Sequence, residues 1–182
     1  MKNLPNILTV FRIILIPIIL SLILLDTKNT NLLALTGFII ASLSDYFDGY
    51  LARKYDLTSI FGTMLDPIAD KLLVILVGFI LCYRGDINGI NLIPFLLIVS
   101  REVFISGIRE YLAQLGEKKT LPVSNLGKYK TAMQMLALLC LLLNPIMTNN
   151  LFFIAELGIL LLWIASILSV LSGYQYYRGI FN

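Results

Sequence analysis

Long apolar stretches alternate with short polar ones along the whole chain. Several of the apolar stretches carry a charged residue near one end. A helix that crosses a membrane needs about 20 mainly apolar residues, with about 17–25 as the usual range. The pattern therefore predicts an all-α integral membrane protein with six transmembrane helices. The six apolar segments are Ile7–Leu25, Leu32–Asp48, Pro67–Tyr83, Leu92–Tyr111, Thr131–Met147 and Leu151–Tyr174.

The composition agrees with a membrane protein and excludes several kinds of site. Hydrophobic residues make up 58% of the 182 residues, whereas soluble domains usually contain about 45–50% apolar residues. The net charge of +3 is too small to indicate nucleic-acid binding. The chain has no histidine, which excludes histidine-based triads and imidazole-bound zinc. The length predicts a single membrane domain over residues 1–182.

Basic residues are concentrated near both termini and in alternate connecting segments. The segment after the second apolar stretch carries Arg53 and Lys54, and the segment after the fourth carries four lysines between positions 118 and 130. Cytoplasmic loops are enriched in Lys and Arg. The pattern predicts a multi-pass protein with both termini and the polar site on the cytoplasmic side.

Four aspartates lie at the polar ends of the second and third apolar segments. Asp45 and Asp48 are three positions apart, and Asp66 and Asp70 are four apart, so each pair is expected on one face of a helix. Antiparallel helices joined by a short loop would bring the pairs together. Oxygen ligands without histidine or cysteine favour Mg²⁺ or Mn²⁺. The spacing predicts a site for such ions, with two ions suited to phosphoryl displacement.

The aspartates also have structural explanations. They could pair with Arg53, Lys54 or Lys71. Asp66 precedes Pro67, so it could also cap a helix that begins at the proline. These alternatives stay open for single aspartates, but they explain the set of four poorly.

The same segment resembles the signature of a known enzyme family. It reads Asp45-x2-Asp48-Gly49-x2-Ala52-Arg53-x8-Gly62-x3-Asp66-x3-Asp70, which is similar to the CDP-alcohol phosphotransferases at every fixed position. The resemblance implies a six-helix membrane fold, usually homodimeric, in which the four aspartates hold metal and Asp70 is the general base. It further implies that Gly49, Arg53 and Ser59 contact the CDP group.

Three further stretches resemble one branch of that family. They are LPNILTVFRIILIP at 4–17, VSREVFISGIR at 99–109 and GKYKTAMQ at 127–134. This resemblance implies a bacterial plasma (inner) membrane enzyme with CDP-diacylglycerol and glycerol 3-phosphate as substrates and phosphatidylglycerophosphate and CMP as products. Asn6 and Thr9 are expected to reach the CDP-lipid, although helix capping explains them nearly as well.

The acceptor's phosphate needs cationic partners. Arginine makes bidentate phosphate contacts and lysine acts as a point charge. The expected acceptor-binding residues are Arg101, Arg109, Lys128 and Lys130. The alternatives are that the arginines pair with Glu102, Glu110 or Glu156 and that the lysines only mark the cytoplasmic side.

Three other functions are compatible with parts of the pattern. A sister enzyme would use serine, an inositol phosphate or another alcohol as acceptor. A membrane prenyltransferase also uses Asp-rich metal motifs, but it does not explain the spacing of Gly49, Arg53 and Gly62. A cation transporter would place its carboxylates near the middle of the bilayer, often between repeats, whereas these aspartates lie at one edge.

Overall fold

The chain folds into helices joined by short connections. The computed structural model describes residues 4–55, 60–114, 125–147 and 152–181, with side chains at 9–44, 65, 67–112, 114, 126–147 and 153–180. Within these ranges there are six α-helices and no strand, which confirms the predicted all-α class. The helices are α1 (Leu4–Leu25), α2 (Lys28–Tyr55), α3 (Ile60–Arg84), α4 (Leu92–Gln114), α5 (Asn125–Leu143) and α6 (Phe152–Phe181).

The second and third helices are longer than the apolar segments that predicted them. Helix α2 continues to Tyr55, beyond Asp48, and α3 begins at Ile60, seven residues before Pro67. Asp66 therefore lies inside α3, and the alternative that it caps a helix starting at Pro67 is wrong. Hydropathy marks only the apolar part of a helix, and these two helices continue into polar sequence.

The predicted start of α5 and the predicted end of α6 show the same effect. Helix α5 begins at Asn125 instead of Thr131, so both predicted lysines of the fifth segment lie within the helix. Helix α6 continues to Phe181, beyond the predicted end at Tyr174.

The core lies where the helices pack side by side. Helix α1 packs on α2 and α3, while α6 packs on α4 and α5. Ile19, Phe38, Val77 and Leu141 are among the large side chains that are almost fully buried. Their burial fixes α1, α2, α3 and α5 side by side, and the buried Phe95 adds α4 to the same core, so that polar side chains near one end of the bundle meet.

Three of the described helices are long and apolar enough to span a membrane: Gly89–Leu112, Leu126–Ile146 and Phe153–Ile180. Thr9–Leu25 is a shorter apolar stretch. Large apolar side chains such as Phe104, Phe153 and Ile167 are exposed on the helix surfaces, as expected for groups that contact lipid. These features indicate an integral membrane protein.

Polar contacts hold one end of the bundle together. Arg84, in the last turn of α3, donates through Nη1 to Asn31 Oδ1 at 3.1 Å and lies 3.5 Å from Asp26 Oδ1. Its Nε also pairs with Asp86. We call Asp26, Asn31, Arg84 and Asp86 the Arg84 cluster. It joins the α1–α2 connection to the α3–α4 connection, at the opposite end of α3 from Asp70.

Candidate active site

The four predicted metal ligands lie on the two helices that the sequence assigned to them. Asp45 and Asp48 are within α2, and Asp66 and Asp70 are within α3. The side chains of the first three lie outside the described residues. Asp70 is described, is partly buried and lines a small cavity between α3, α4 and α5.

The predicted CDP-lipid contacts fall largely outside the described side chains. Asn6 is in α1, and Gly49 and Arg53 are in α2, but their side chains are not described, and Ser59 lies outside the described residues altogether. Thr9 is fully buried in α1.

Arg12, one turn after Thr9, is also fully buried, and its Nε donates to Ser44 Oγ at 3.4 Å. Arginine is almost never fully buried unless it is paired. The Arg12 guanidinium therefore lies against Ser44 of α2, the residue that directly precedes Asp45 in the sequence.

An ion cluster joins α4 to α5 and α6. Lys130 donates to Glu102 Oε1, and Arg101 Nη1 donates to the same oxygen at 3.1 Å. Arg101 Nη2 also donates to Ser172 Oγ on α6 at 3.2 Å. We call Arg101, Glu102 and Lys130 the Glu102 cluster. It contains two cations and one carboxylate, so it carries one surplus positive charge.

Gly173 makes room for this arrangement. A Cβ atom at position 173 would lie 3.2 Å from Arg101 Cγ, which is closer than ordinary side-chain contacts allow. The absent side chain lets α6 approach the stem of Arg101, so the guanidinium can reach Ser172.

A second contact links α3 to α4 beside Asp70. Lys71 Nζ donates to Ser106 Oγ, and Ser106 Oγ donates to the Glu102 carbonyl oxygen at 2.7 Å. The alternative that Lys71 pairs with a motif aspartate is not seen among the described side chains, where its contact is a serine.

The four predicted acceptor-binding residues do not form one group. Arg101 and Lys130 meet through Glu102, which also confirms the predicted alternative contact of Arg101 with that glutamate. Arg109 lies about 12 Å further along α4 at 1.5 Å per residue, with its guanidinium carbon 5.1 Å from the centroid of the Tyr176 ring. Lys128 is exposed at the start of α5.

Two cavities adjoin the Glu102 cluster. The larger is a groove of about 420 Å³ between α3 and α4, with apolar walls from Ile68, Leu72 and Val103 and charged groups from Lys71 and Glu102. The smaller has a volume of about 20 Å³ and shares Lys71, Ile75 and Glu102 with the groove. Its other walls are Asp70, Val74, Lys130, Thr131 and Gln134.

The donor chemistry around Asp70 fits a hard divalent cation. Among the described side chains no group of three His, Cys, Asp or Glu is placed to hold a metal, but three of the four predicted ligands are outside that set. Oxygen-bearing side chains adjoin Asp70, and the two cysteines lie apart from it in half-buried positions. Mg²⁺ and Mn²⁺ prefer such oxygen donors.

The family model for CDP-alcohol phosphatidyltransferase matches residues 2–171. The chain belongs to the CDP-alcohol phosphatidyltransferase family. This confirms the family that the aspartate motif resembles, and it accounts for a carboxylate-rich helix pair at the edge of a membrane protein.

Several curated members of the CDP-alcohol phosphatidyltransferase family resemble the chain over nearly its full length. A protein of Rickettsia typhi is 44% identical over 179 residues, which cover 98% of this chain and 97% of that protein. A protein of Haemophilus influenzae is 42% identical over 96% of this chain and 91% of its own length. A protein of Shigella flexneri is 37% identical over 96% and 92%. All three are named CDP-diacylglycerol–glycerol-3-phosphate 3-phosphatidyltransferase.

Sequence reasoning assigned no functional role to several residues that the structure places beside Asp70. They are Lys71, Glu102 and Gln134, which line the same cavity, and Ser106, which accepts a hydrogen bond from Lys71. A signal was available for Glu102, because an ionisable residue inside an apolar segment is a candidate functional residue by default. Gln134 carried no comparable signal, since its position relative to Asp70 depends on how α3 and α5 pack.

Proposed function

We propose that the chain transfers the phosphatidyl group of CDP-diacylglycerol to glycerol 3-phosphate, giving phosphatidylglycerophosphate and CMP. The proposal draws on relatives of that name at up to 44% identity over nearly the whole chain. The structural observation that carries it is the cavity at which Asp70 and Lys130 meet. A carboxylate suited to proton transfer and a cation suited to a phosphate thus occupy one site.

The surplus positive charge of the Glu102 cluster suits the phosphate of the acceptor. Arg101 and Lys130 share one carboxylate, so a doubly charged phosphate group can be attracted without leaving either cation unpaired. Arg109 and Lys128, which are exposed and lie apart from the cluster, are proposed to attract the acceptor phosphate on its way to the Glu102 cluster. Acceptors without a phosphate, such as serine, would gain nothing from this charge.

The lipid substrate is proposed to bind at the α2 and α3 motif. Gly49, Arg53 and Ser59, with Asn6 and Thr9 from α1, would contact the CDP-lipid. Asp45, Asp48, Asp66 and Asp70 would hold Mg²⁺ or Mn²⁺, with two ions proposed. When bound, the ions supply positive charge to the pyrophosphate and to the attacking and leaving oxygens.

Asp70 is proposed to act as the general base. Its carboxylate would accept the proton of the acceptor hydroxyl, whose oxygen forms a bond to the β-phosphorus while the bond to CMP breaks. Positioned proton transfer contributes about 10²–10⁴-fold to rate. The helices hold the acceptor and the carboxylate in one orientation, which lowers the entropic part of the barrier.

The remaining features of the assembly follow the family resemblance. We propose six membrane spans in a single domain over 1–182, with both termini and the site on the cytoplasmic side of the bacterial plasma membrane. We also propose a homodimer.

The proposed reaction is tested by CMP release from detergent-purified protein. The assay supplies CDP-diacylglycerol and Mg²⁺ or Mn²⁺, with and without glycerol 3-phosphate. CMP release that needs both the metal and glycerol 3-phosphate is the expected result. Release with serine or an inositol phosphate instead would overturn the acceptor, and no release with any alcohol from folded, metal-binding protein would favour a transporter.

The proton-transfer role predicts a specific behaviour for Asp70→Asn. Asparagine keeps an oxygen ligand but cannot take a proton, so turnover should fall by about 10²–10⁴-fold or more. Titration calorimetry in micelles should still detect CDP-diacylglycerol binding. Glu156→Gln, at an exposed carboxylate of α6, is the matched control and should retain turnover. A loss of binding equal to the loss of turnover would contradict the base role.

A further inference from the structure

Gln134 has a buried amide nitrogen that lacks a hydrogen-bond partner among the described residues. Its side chain is 4% exposed, and its Nε2 atom has no hydrogen-bond partner in the part of the chain that the structure describes. Buried polar groups are nearly always hydrogen-bonded, because an unpaired one destabilises the folded state. Gln134 lies one turn after Lys130, so both side chains share a face of α5. Its unpaired donor therefore lies on the face that carries the proposed acceptor site.

The small cavity beside Gln134 has the size of one hydroxyl group. Its volume is about 20 Å³, and about 10–15 Å³ is enough to hold one water-sized oxygen. Gln134 and Asp70 both line it. A ligand oxygen that fills this cavity would lie beside the Gln134 amide, and the neighbouring group of the same ligand would be the one that faces the Asp70 carboxylate.

The neighbouring polar groups of the cavity already have contacts. Lys130 pairs with Glu102, and Lys71 donates to Ser106. Thr131 donates its hydroxyl hydrogen to the Gly127 carbonyl at 3.2 Å. The Nε2 atom of Gln134 has no such contact among the described residues, so it is the donor that a ligand oxygen would satisfy.

We propose that Gln134 donates a hydrogen bond from Nε2 to the central hydroxyl of glycerol 3-phosphate and so selects for that hydroxyl. This rests on the proposed acceptor. The terminal hydroxyl gives its proton to Asp70 and needs its lone pair to attack phosphorus, so a second donor on that oxygen would make it a weaker nucleophile. The central hydroxyl is on the adjacent carbon, does not react and accepts a hydrogen bond freely.

Such a contact would make Gln134 a specificity-determining residue. A site built to hydrogen-bond a substrate hydroxyl rejects an analogue that lacks it, because the buried donor is left unpaired in that complex. The loss of one buried hydrogen bond corresponds to about a tenfold to hundredfold change in kcat/KM. An acceptor without the central hydroxyl is therefore expected to be a poorer substrate by that factor.

The test compares two acceptors in the wild-type protein and in Gln134→Met. Glycerol 3-phosphate and 3-hydroxypropyl phosphate have the same phosphate and the same reacting terminal hydroxyl, but the second lacks the central hydroxyl. Wild type should prefer glycerol 3-phosphate by about tenfold or more. Gln134→Met should bring the ratio of the two kcat/KM values close to one by lowering only the value for glycerol 3-phosphate.

Two results would overturn the assignment. The wild-type protein could use both acceptors equally, or the variant could lose kcat/KM for both by the same factor, as a purely structural residue would. If wild type releases CMP with neither acceptor, the proposed function itself fails, and this inference fails with it. The exposed Gln175 gives the matched control, since Gln175→Met should keep the wild-type ratio.

Thermal unfolding distinguishes a role of Gln134 in acceptor selection from a role in stabilising the fold. Without substrate, Gln134→Met should unfold at the same temperature as wild type or higher, because it removes a buried donor that has no partner. A marked fall in Tm would show that the amide supports the fold. Gln134→Asn keeps the amide on a shorter side chain, and it should also lower the acceptor ratio; an unchanged ratio in that folded variant would refute the contact.

Discussion

The charge balance of the Glu102 cluster predicts that its carboxylate matters more for stability than either cation. Glu102→Gln leaves Arg101 and Lys130 near each other without their shared carboxylate. Lys130→Met leaves the Arg101–Glu102 pair intact and electrically neutral. The two substitutions each remove one charge from the same contact, but Glu102→Gln leaves two uncompensated positive charges, whereas Lys130→Met leaves a neutral pair.

The burial of the cluster sets the size of the effect. The side chains of Arg101, Glu102 and Lys130 are 15%, 13% and 6% exposed. Removing one partner of a buried ion pair costs about 3–5 kcal/mol, because a charge is left uncompensated. We expect Glu102→Gln to lower the free energy of unfolding by the smaller end of that range, since Asp70 lines the same cavity and offsets Lys130 in part. Lys130→Met should cost less.

The assay is unfolding in detergent without substrate, on wild type, both single variants and the double variant. The double variant should be less destabilised than the sum of the single effects, with a coupling energy of about 0.5–3 kcal/mol. Glu156→Gln, at an exposed glutamate of α6, is the control and should change little. The reasoning is refuted if Lys130→Met costs as much as Glu102→Gln, or if the two effects simply add.

Two further predictions concern packing and the far end of the bundle. Gly78→Ala should lower the free energy of unfolding by about 1–3 kcal/mol, because its Cβ would lie 2.6 Å from Cζ of Phe95. Gly107→Ala is the control: no atom lies within 4 Å of its new Cβ, so a thermal scan should show it to be neutral or slightly stabilising. Arg84→Met should lower Tm, because it leaves the buried Asn31 and the largely buried Asp86 without their donor. The exposed Lys28 at the same end is its control, and an equal effect of Lys28→Met would contradict the role of the Arg84 cluster.

Hydropathy predicted the number and order of the described helices, because each apolar segment lies largely within a different helix. It misplaced several ends, because residues such as Asp48 and Lys128 continue a helix without adding apolar surface. The start of α3 was missed for a related reason: Pro67 reads as a first helical residue, but a proline within a helix is tolerated in membrane proteins where neighbouring groups replace the lost contact.

The sequence predicted those site residues that lie at a fixed spacing on one helix. The position of Asp70 on α3 follows from its spacing to Asp66 alone. The meeting of Lys130 with Glu102, by contrast, depends on how α5 packs against α4, and no local pattern encodes that distance. Arg109 shows the same limit, since its contact with Tyr176 joins the end of α4 to α6.

The Arg84 cluster gives the bundle unequal ends. It fixes the last turn of α3 to both neighbouring connections, while Asp70 lies fourteen residues earlier on the same helix. That separation is about 21 Å at 1.5 Å per residue, so tilting α3 by about 5° around Arg84 would move Asp70 by about 2 Å. A misplacement of about 1 Å can change a rate by about a hundredfold. The Arg84 cluster therefore helps to set the orientation of α3 at the distant site, together with the buried Leu73 and Val77 on the same stretch of the helix.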